Sequence, residues 1–363
     1  MKILSVVGAR PEFIQAMPVS QALRAQHEEV LVHTGQHYDH AMSQIFFEEL
    51  AIPTPHYNLA IRSGSHAQQT AEILTHLEPI IRAEQPAAVL VRGDTTSTLG
   101  AALVASQLQT PLIHLEAGER SYNRTMPEER NRLVVDALAD YHFCVSQKAV
   151  AQLAREGRGA TAYWVGDVML DALRQVLPLV AARTASLARF GVERGQYALV
   201  TLHRPGNVDN AQRLRQILQA LNGLHEPILF PVHPRTRQAI ANLGMPLADH
   251  LHLLEPVGYL DMILLTANAR LVATGSGGLQ REAFYLLTPC LTLREETEWC
   301  ETVETGWNYL VGADAEQIRE RWRHFPLPEP PPPLLGDGSA AQRIVTILEE
   351  IFESGSHGTK CAQ

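Results

Sequence analysis

Short apolar runs alternate along this chain with longer stretches whose apolar residues recur every three or four positions. In the first part the runs fall at residues 3–7, 30–33, 88–91, 112–115 and 141–145. Such runs, rich in Val, Ile and Leu, are the mark of strands buried on both faces. The segments between them, 11–25, 66–83, 96–107 and 128–139, carry the helical spacing and open near Pro, Ser or Thr. The rhythm pauses over 165–187 and resumes with runs at 198–202, 228–232, 252–254, 271–274, 290–293 and 309–311. This pattern predicts an α/β chain with two doubly wound, Rossmann-like domains facing a cleft, the first over 1–168 and the second over 169–338. Pro326, Pro328 and Pro330–Pro333 make 325–338 an extended connector. An amphipathic helix over 339–352 follows, in a segment (339–353) expected to pack back toward the first domain, and 354–363 reads as a polar, disordered tail.

Composition narrows the function. The net charge of −9 disfavours nucleic acid or an anionic membrane surface as the main partner. Aromatics make up 6% of the chain and do not interleave with basic residues, so the usual platform for single-stranded nucleic acid is missing. No apolar run approaches the ~18 residues of a membrane-spanning helix. The apolar stretch before Gly8 is also too short for a signal-peptide core. Four cysteines without paired spacing suggest a cytoplasmic protein with free thiols.

In parallel α/β sheets ligands bind beyond the carboxyl ends of the strands, so the residues just after each run are the informative ones. After the first run, Gly8-Ala9-Arg10-Pro11-Glu12 offers a glycine turn, a cation and a helix start that suits an anion; a plain turn with Arg10 solvated is the alternative. Gly275-Ser276-Gly277-Gly278 leads into a helix bearing Glu282. Its amides could cradle a diphosphate, with Ser276 adding a hydroxyl and Glu282 accepting from ribose hydroxyls. Neither segment is a GxGxxG dinucleotide motif or a P-loop. Three carboxylates, Asp94, Glu116 and Glu128, stand at run ends or helix starts; converging, they would form an acid/base set, while singly Asp94 and Glu128 read more readily as helix caps or first-turn anions. His203 and His233 follow the first two runs of the second domain, where an imidazole could bind phosphate or move a proton or simply complete a turn. His33, His37 and His40 have ligand-like spacing without a supporting pattern, so no metal is expected.

Taken in order, these segments resemble the non-hydrolysing UDP-N-acetylglucosamine 2-epimerases over about residues 1–350. The carriers are Gly8-Ala9-Arg10-Pro11, Thr34-Gly35-Gln36-His37, Gly93-Asp94-Thr95, Glu116-Ala117-Gly118 with Arg120, and Pro127-Glu128-Glu129 with Asn131-Arg132. The second half adds Val165-Gly166-Asp167, Thr201-Leu202-His203-Arg204, Gly275-Ser276-Gly277-Gly278, and Arg294 with Thr297-Glu298. The resemblance implies the glycosyltransferase-B fold, a UDP-sugar substrate, no cofactor and a homodimer. It implies catalytic roles for Asp94, Glu116, Glu128 and His203. By the same resemblance Arg10, Ser276, Gly277, Gly278, Glu282 and Arg294 hold UDP, with Arg132 as a supporting cation. The implied reaction is elimination of UDP to a 2-acetamidoglucal and its re-addition on C2 inversion. Four positions depart from the family pattern: Gln15 stands where Lys is usual, Cys300 where Pro is usual, Glu119 replaces an apolar residue, and Arg92 is an added cation beside Asp94. Some motif variants also look like members that act on UDP-2,3-diacetamido-glucuronate, whose carboxylate Arg92 would be placed to meet.

Overall fold

The computed structural model describes residues 1–35, 49–50, 52–61 and 64–354. The segment holding Gln36, His37 and His40 and the tail from 355, with Cys361, lie outside the described residues. The chain divides into two compact units, one of Met1–Gln175 with the returning segment from Pro333, the other Val176–Pro332.

The first unit is built on a parallel sheet ordered β3-β2-β1-β4-β5-β6-β7. Its strands are β1 (Lys2–Val7), β2 (Glu28–His33), β3 (Tyr57–Asn58), β4 (Ala88–Arg92), β5 (Leu112–Leu115), β6 (Tyr141–Cys144) and β7 (Ala162–Trp164). Leu4, Val6, Val89 and Val91 turn to one face, against Ile73, Leu77 and Ile81 of the helix His66–Glu84 and Ala101, Val104 and Ala105 of the helix Thr96–Gln107. Ile3, Ala88, Leu90 and Ile113 turn to the other, against Val19 and Leu23 of the helix Arg10–Arg24 and Ile344, Val345 and Leu348 of the helix Ala340–Ser354. Both faces are covered, which is why the strands read as unbroken apolar runs. Burying each such side chain is worth about 1.5–3 kcal/mol. The C-terminal helix is also pinned at its start, where the Asp171 carboxylate accepts from the Ala340 and Ala341 amides at 3.1 and 2.7 Å.

The second unit repeats the plan as β10-β9-β8-β11-β12-β13, all parallel. Here the strands are β8 (Ala198–Thr201), β9 (Ile228–Pro231), β10 (Leu251–Leu254), β11 (Leu271–Thr274), β12 (Cys290–Thr292) and β13 (Asn308–Leu310). In each sheet the order reverses beside the first strand, between β1 and β4 and between β8 and β11, so each unit has one switch point at the carboxyl ends of its central strands.

The pause in the sequence rhythm is a helix. Val168–Ala182 buries Val168, Met169, Ala172, Leu173, Val176 and Val180. That stripe is helical in spacing, but Pro178 lies inside it and masks the signal. β3 and β7 escaped the sequence reading because two or three residues at a sheet edge carry no periodicity. Residues 325–338 are without helix or strand, as the proline content requires.

Candidate active site

At the carboxyl end of the first sheet the loops after β1, β4 and β5 are stitched together by buried polar side chains. Glu12, in the first turn of the helix Arg10–Arg24, accepts from the Gly8 and Ala9 amides at 2.6 and 2.9 Å. Across the switch point its other oxygen accepts from Thr95 Oγ1 and Thr98 Oγ1 at 2.7 and 2.9 Å. The anion drawn to this helix start is therefore the protein's own. Arg10 sits at the first helical position, half-buried, and the loop amides below it are already engaged. Burial pushes the Glu12 carboxyl above its ordinary value, with the four donors opposing.

Asp94 follows β4 in the turn that opens the helix Thr96–Gln107. Its carboxylate pairs with Arg132 Nη2, and its backbone carbonyl accepts from Asn131 Nδ2 at 2.8 Å. Arg132, nearly buried, is thus a partner of Asp94; it also reaches Glu129, which accepts from the Ser121 amide and hydroxyl and the Tyr122 amide at 2.8–3.0 Å. Glu128, next to this buried Glu129, is half-buried in the first turn of the helix Pro127–Leu138. Glu116 directly follows β5 with φ of 66°, a left-handed backbone that costs a non-glycine residue of order 1–3 kcal/mol and persists where the surroundings demand it. Gln15 Nε2 donates to Glu116 Oε2 at 2.6 Å, while Gln15 Oε1 is buried without a partner. The Gln that departs from the family pattern is therefore a direct ligand of a candidate catalytic carboxylate.

Arg92 lies in the core of the first unit. Its side chain is fully buried, its Nη1 donates to the Val6 carbonyl at 3.3 Å, and burial lowers its pKa to about 10. A fully buried guanidinium presents no face to solvent, so its place gives no support to a pairing with a substrate carboxylate. Nothing in the residue's place at the end of β4 announced this, since successive strand residues point to opposite faces of the layer.

In the second unit the predicted residues gather around β8, β11 and β12. His203 follows β8 and is exposed. Ser276 caps the helix Gly277–Tyr285, its hydroxyl accepting from Leu279 N at 3.4 Å and its carbonyl from Gln280 N at 3.0 Å. The Gly277 and Gly278 amides remain at the open end of that helix, aligned with its dipole. The two glycines differ. A Cβ on Gly277 would come within 2.8 Å of Glu298 Oε1 and Trp299 Nε1, whereas one on Gly278 would meet Ser276 Oγ at 3.8 Å. Gly277 makes room for protein and Gly278 leaves room above the helix. Arg294, after β12, pairs with Glu298 at 3.0 Å, and Arg204 approaches the same carboxylate at 3.9 Å. Glu282 lies on the second turn and is nearly buried.

The model of the UDP-N-acetylglucosamine 2-epimerase family matches residues 21–349. The chain belongs to the UDP-N-acetylglucosamine 2-epimerase family. Among curated members it is 44% identical to a UDP-N-acetylglucosamine 2-epimerase homolog of Methanococcus maripaludis over 97% of this chain and all of that one. It is equally 44% identical, with the same coverage, to the UDP-2,3-diacetamido-2,3-dideoxy-D-glucuronate 2-epimerase of Pseudomonas aeruginosa. The crystal structure of the Methanocaldococcus jannaschii UDP-GlcNAc 2-epimerase in complex with UDP-GlcNAc and UDP superimposes with a TM-score of 0.91 at 38% identity, covering 96% of this chain and 100% of that one. The two Rossmann-like units thus belong to the glycosyltransferase-B type of α/β fold found in the family.

Sequence reasoning marked Gln15 only as a departure from the family pattern, read Glu12 and Glu129 only as members of motifs, and gave no part to Asp136, whose Oδ2 accepts the Gly118 amide at 3.1 Å in the loop after Glu116. Among the described residues no group of three or more His, Cys, Asp or Glu is placed to hold a metal, and no helix is long and apolar enough to cross a membrane.

Proposed function

We propose that this chain inverts C2 of a UDP-2-acetamido sugar, converting UDP-N-acetylglucosamine to UDP-N-acetylmannosamine without hydrolysis. The observation that carries the reading is Glu116, which directly follows a strand in a costly backbone conformation and whose carboxylate accepts from the Gln15 side-chain amide. A carboxylate so fixed suits proton transfer at carbon, where the base must meet a weakly acidic C–H in one geometry. In the first half-reaction a carboxylate of the set Asp94, Glu116 and Glu128 takes the C2 proton. The C–H electrons form the C1–C2 double bond, and the C1–O bond breaks with its pair leaving on UDP. The departing charge is received by His203, Arg10, Arg294 and the Gly277–Gly278 amides, with Ser276 and Glu282 assigned to the rest of the nucleotide. The 2-acetamidoglucal is then protonated at C2 from the opposite face by a second carboxylate, and UDP re-adds to C1. The sum is redox-neutral and consumes no water. Gln15 gives Glu116 a neutral donor at the position where the family pattern has a Lys.

By family analogy the working form is a cytoplasmic homodimer that supplies precursors for bacterial surface polysaccharides; sedimentation as a monomer at assay concentration would remove the dimer. A second reading is the same inversion on UDP-2,3-diacetamido-glucuronate, favoured by the Pseudomonas aeruginosa relative. Incubating the purified protein with each sugar in deuterium oxide separates the readings. C2 exchange with one sugar names the substrate, free sugar released with UDP marks a hydrolysing enzyme, and binding without exchange of either marks a UDP-sugar binding protein.

A further inference from the structure

We propose that His114 is a positioning residue, held as an imidazolium, that fixes the Asp94 turn by donating to the Gly93 carbonyl. The ring is fully buried on β5. Its Nδ1 lies 2.6 Å from Asp136 Oδ1 and its Nε2 lies 2.8 Å from the Gly93 carbonyl oxygen. Both neighbours are acceptors, and a neutral imidazole has a single N–H. Either neutral tautomer would press a nitrogen lone pair against an oxygen in a dry interior, so the doubly protonated ring is the one that satisfies the geometry.

The surrounding charges agree. Asp136 Oδ2 also pairs with Arg120 Nη1 at 2.6 Å, Arg120 Nη2 pairs with Glu156 at 2.7 Å, and Arg158 approaches Glu156 at 3.9 Å. Glu119, on the same loop as Arg120, adds a further carboxylate near the cluster. His142 lies beside His114 in β6, and burial pushes its pKa down. Cys144 is kept neutral, its thiol pushed up by burial. Asp136 is itself held well below its ordinary value, at about 2, by His114 and Arg120 against its desolvation. Its Oδ2 also accepts the Gly118 amide at 3.1 Å. One carboxylate therefore ties down the loop after Glu116 directly and the turn before Asp94 through His114.

The catalytic consequence rests on reading Asp94 as part of the proton-transfer set; the protonation state of His114 does not. Two measurements on the full chain keep these apart. In histidine ring 15N–1H spectra at pH 8.5, one of the 16 histidines should keep both ring nitrogens protonated, and that pair should vanish in His114→Gln. A spectrum in which every histidine shows one unprotonated nitrogen, or a pair that survives in His114→Gln, overturns the proposal. Per UDP-binding site, His114→Gln should lose roughly 10²-fold in kcat with KM within about twofold, the mark of misplaced rather than missing groups. Unchanged kcat in that variant overturns the positioning role. If the unaltered protein exchanges no C2 proton with either sugar, the epimerase reading fails, and the spectrum still decides the imidazolium.

Discussion

Glu12 is the side chain whose loss should most loosen the catalytic end of the first unit. In Glu12→Ala the Gly8 and Ala9 amides lose their acceptor inside a buried turn, and each orphan costs ~1–3 kcal/mol. The two threonine hydroxyls can rotate elsewhere, since Thr98 Oγ1 already lies 2.5 Å from the Arg92 carbonyl. A loss of about 3–5 kcal/mol is expected, among the largest single-residue effects. Glu12→Gln keeps the shape: its oxygen can take both amides and its NH2 can donate to hydroxyls turned to accept, so the loss should be about 1–2 kcal/mol. The two variants also separate burial from hydrogen bonding as the source of the pKa displacement. Because burial raises the Glu12 carboxyl above its ordinary value, the native state holds this proton more tightly than the unfolded chain. The stability it contributes is full below the ordinary carboxyl range and declines as pH rises through the folded value. Glutamine does not titrate there, so the advantage of the natural residue over Glu12→Gln, read from urea melts, should shrink as pH is raised over the range above about 4. An advantage that grows over that range would refute the reasoning, because it would mean that the four donors outweigh desolvation.

Gln15→Leu removes the donor on Glu116; a bond to a charged group is worth ~1.5–3 kcal/mol, so kcat should fall ~10- to 100-fold with UDP affinity unchanged, and an unaltered kcat would reduce Gln15 to packing. Gly278→Ala should weaken UDP binding by calorimetry while leaving the melting temperature near that of the parent, whereas Gly277→Ala should lower both through its collision with Glu298 and Trp299. The reverse pattern would remove Gly278 from the site. Arg92→Met replaces a buried cation by an apolar chain of similar length and should be neutral or stabilising by ~1–2 kcal/mol, with discrimination between neutral and acidic UDP-sugars unchanged. A melting temperature several degrees lower would show that the Val6 contact and the fields of Glu12 and Glu29 outweigh its desolvation.

The layer order of the molecule could be read from the chain because strands buried on both faces leave continuous apolar runs, and nearly every run became a strand within a residue or two. The edge strands β3 and β7 are too short to leave a period, and Pro178 concealed the helix Val168–Ala182. The candidate site was legible as positions: Asp94, Glu116 and Gly275–Gly278 stand at strand ends, where the fold directs chemistry. Its wiring was not legible. Whether Glu12 caps a turn or Arg92 faces a ligand depends on which side of a layer the side chain takes. Sequence spacing fixes that side for long elements and loses it at their ends. Asp136 and His114 lie 22 residues apart, and their contact exists only because β5 and the helix after it return to the same strand end.

The central claim is that carboxylates of the first unit take and return a proton at C2. Proton NMR of UDP-N-acetylglucosamine and UDP-2,3-diacetamido-glucuronate with the purified protein in deuterium oxide tests it most directly. The account predicts that one of them loses its C2 proton signal as the C2-inverted UDP-sugar appears, and that Glu116→Gln abolishes both changes while still binding UDP. Inversion without deuterium entering C2, or full exchange in Glu116→Gln, would contradict it.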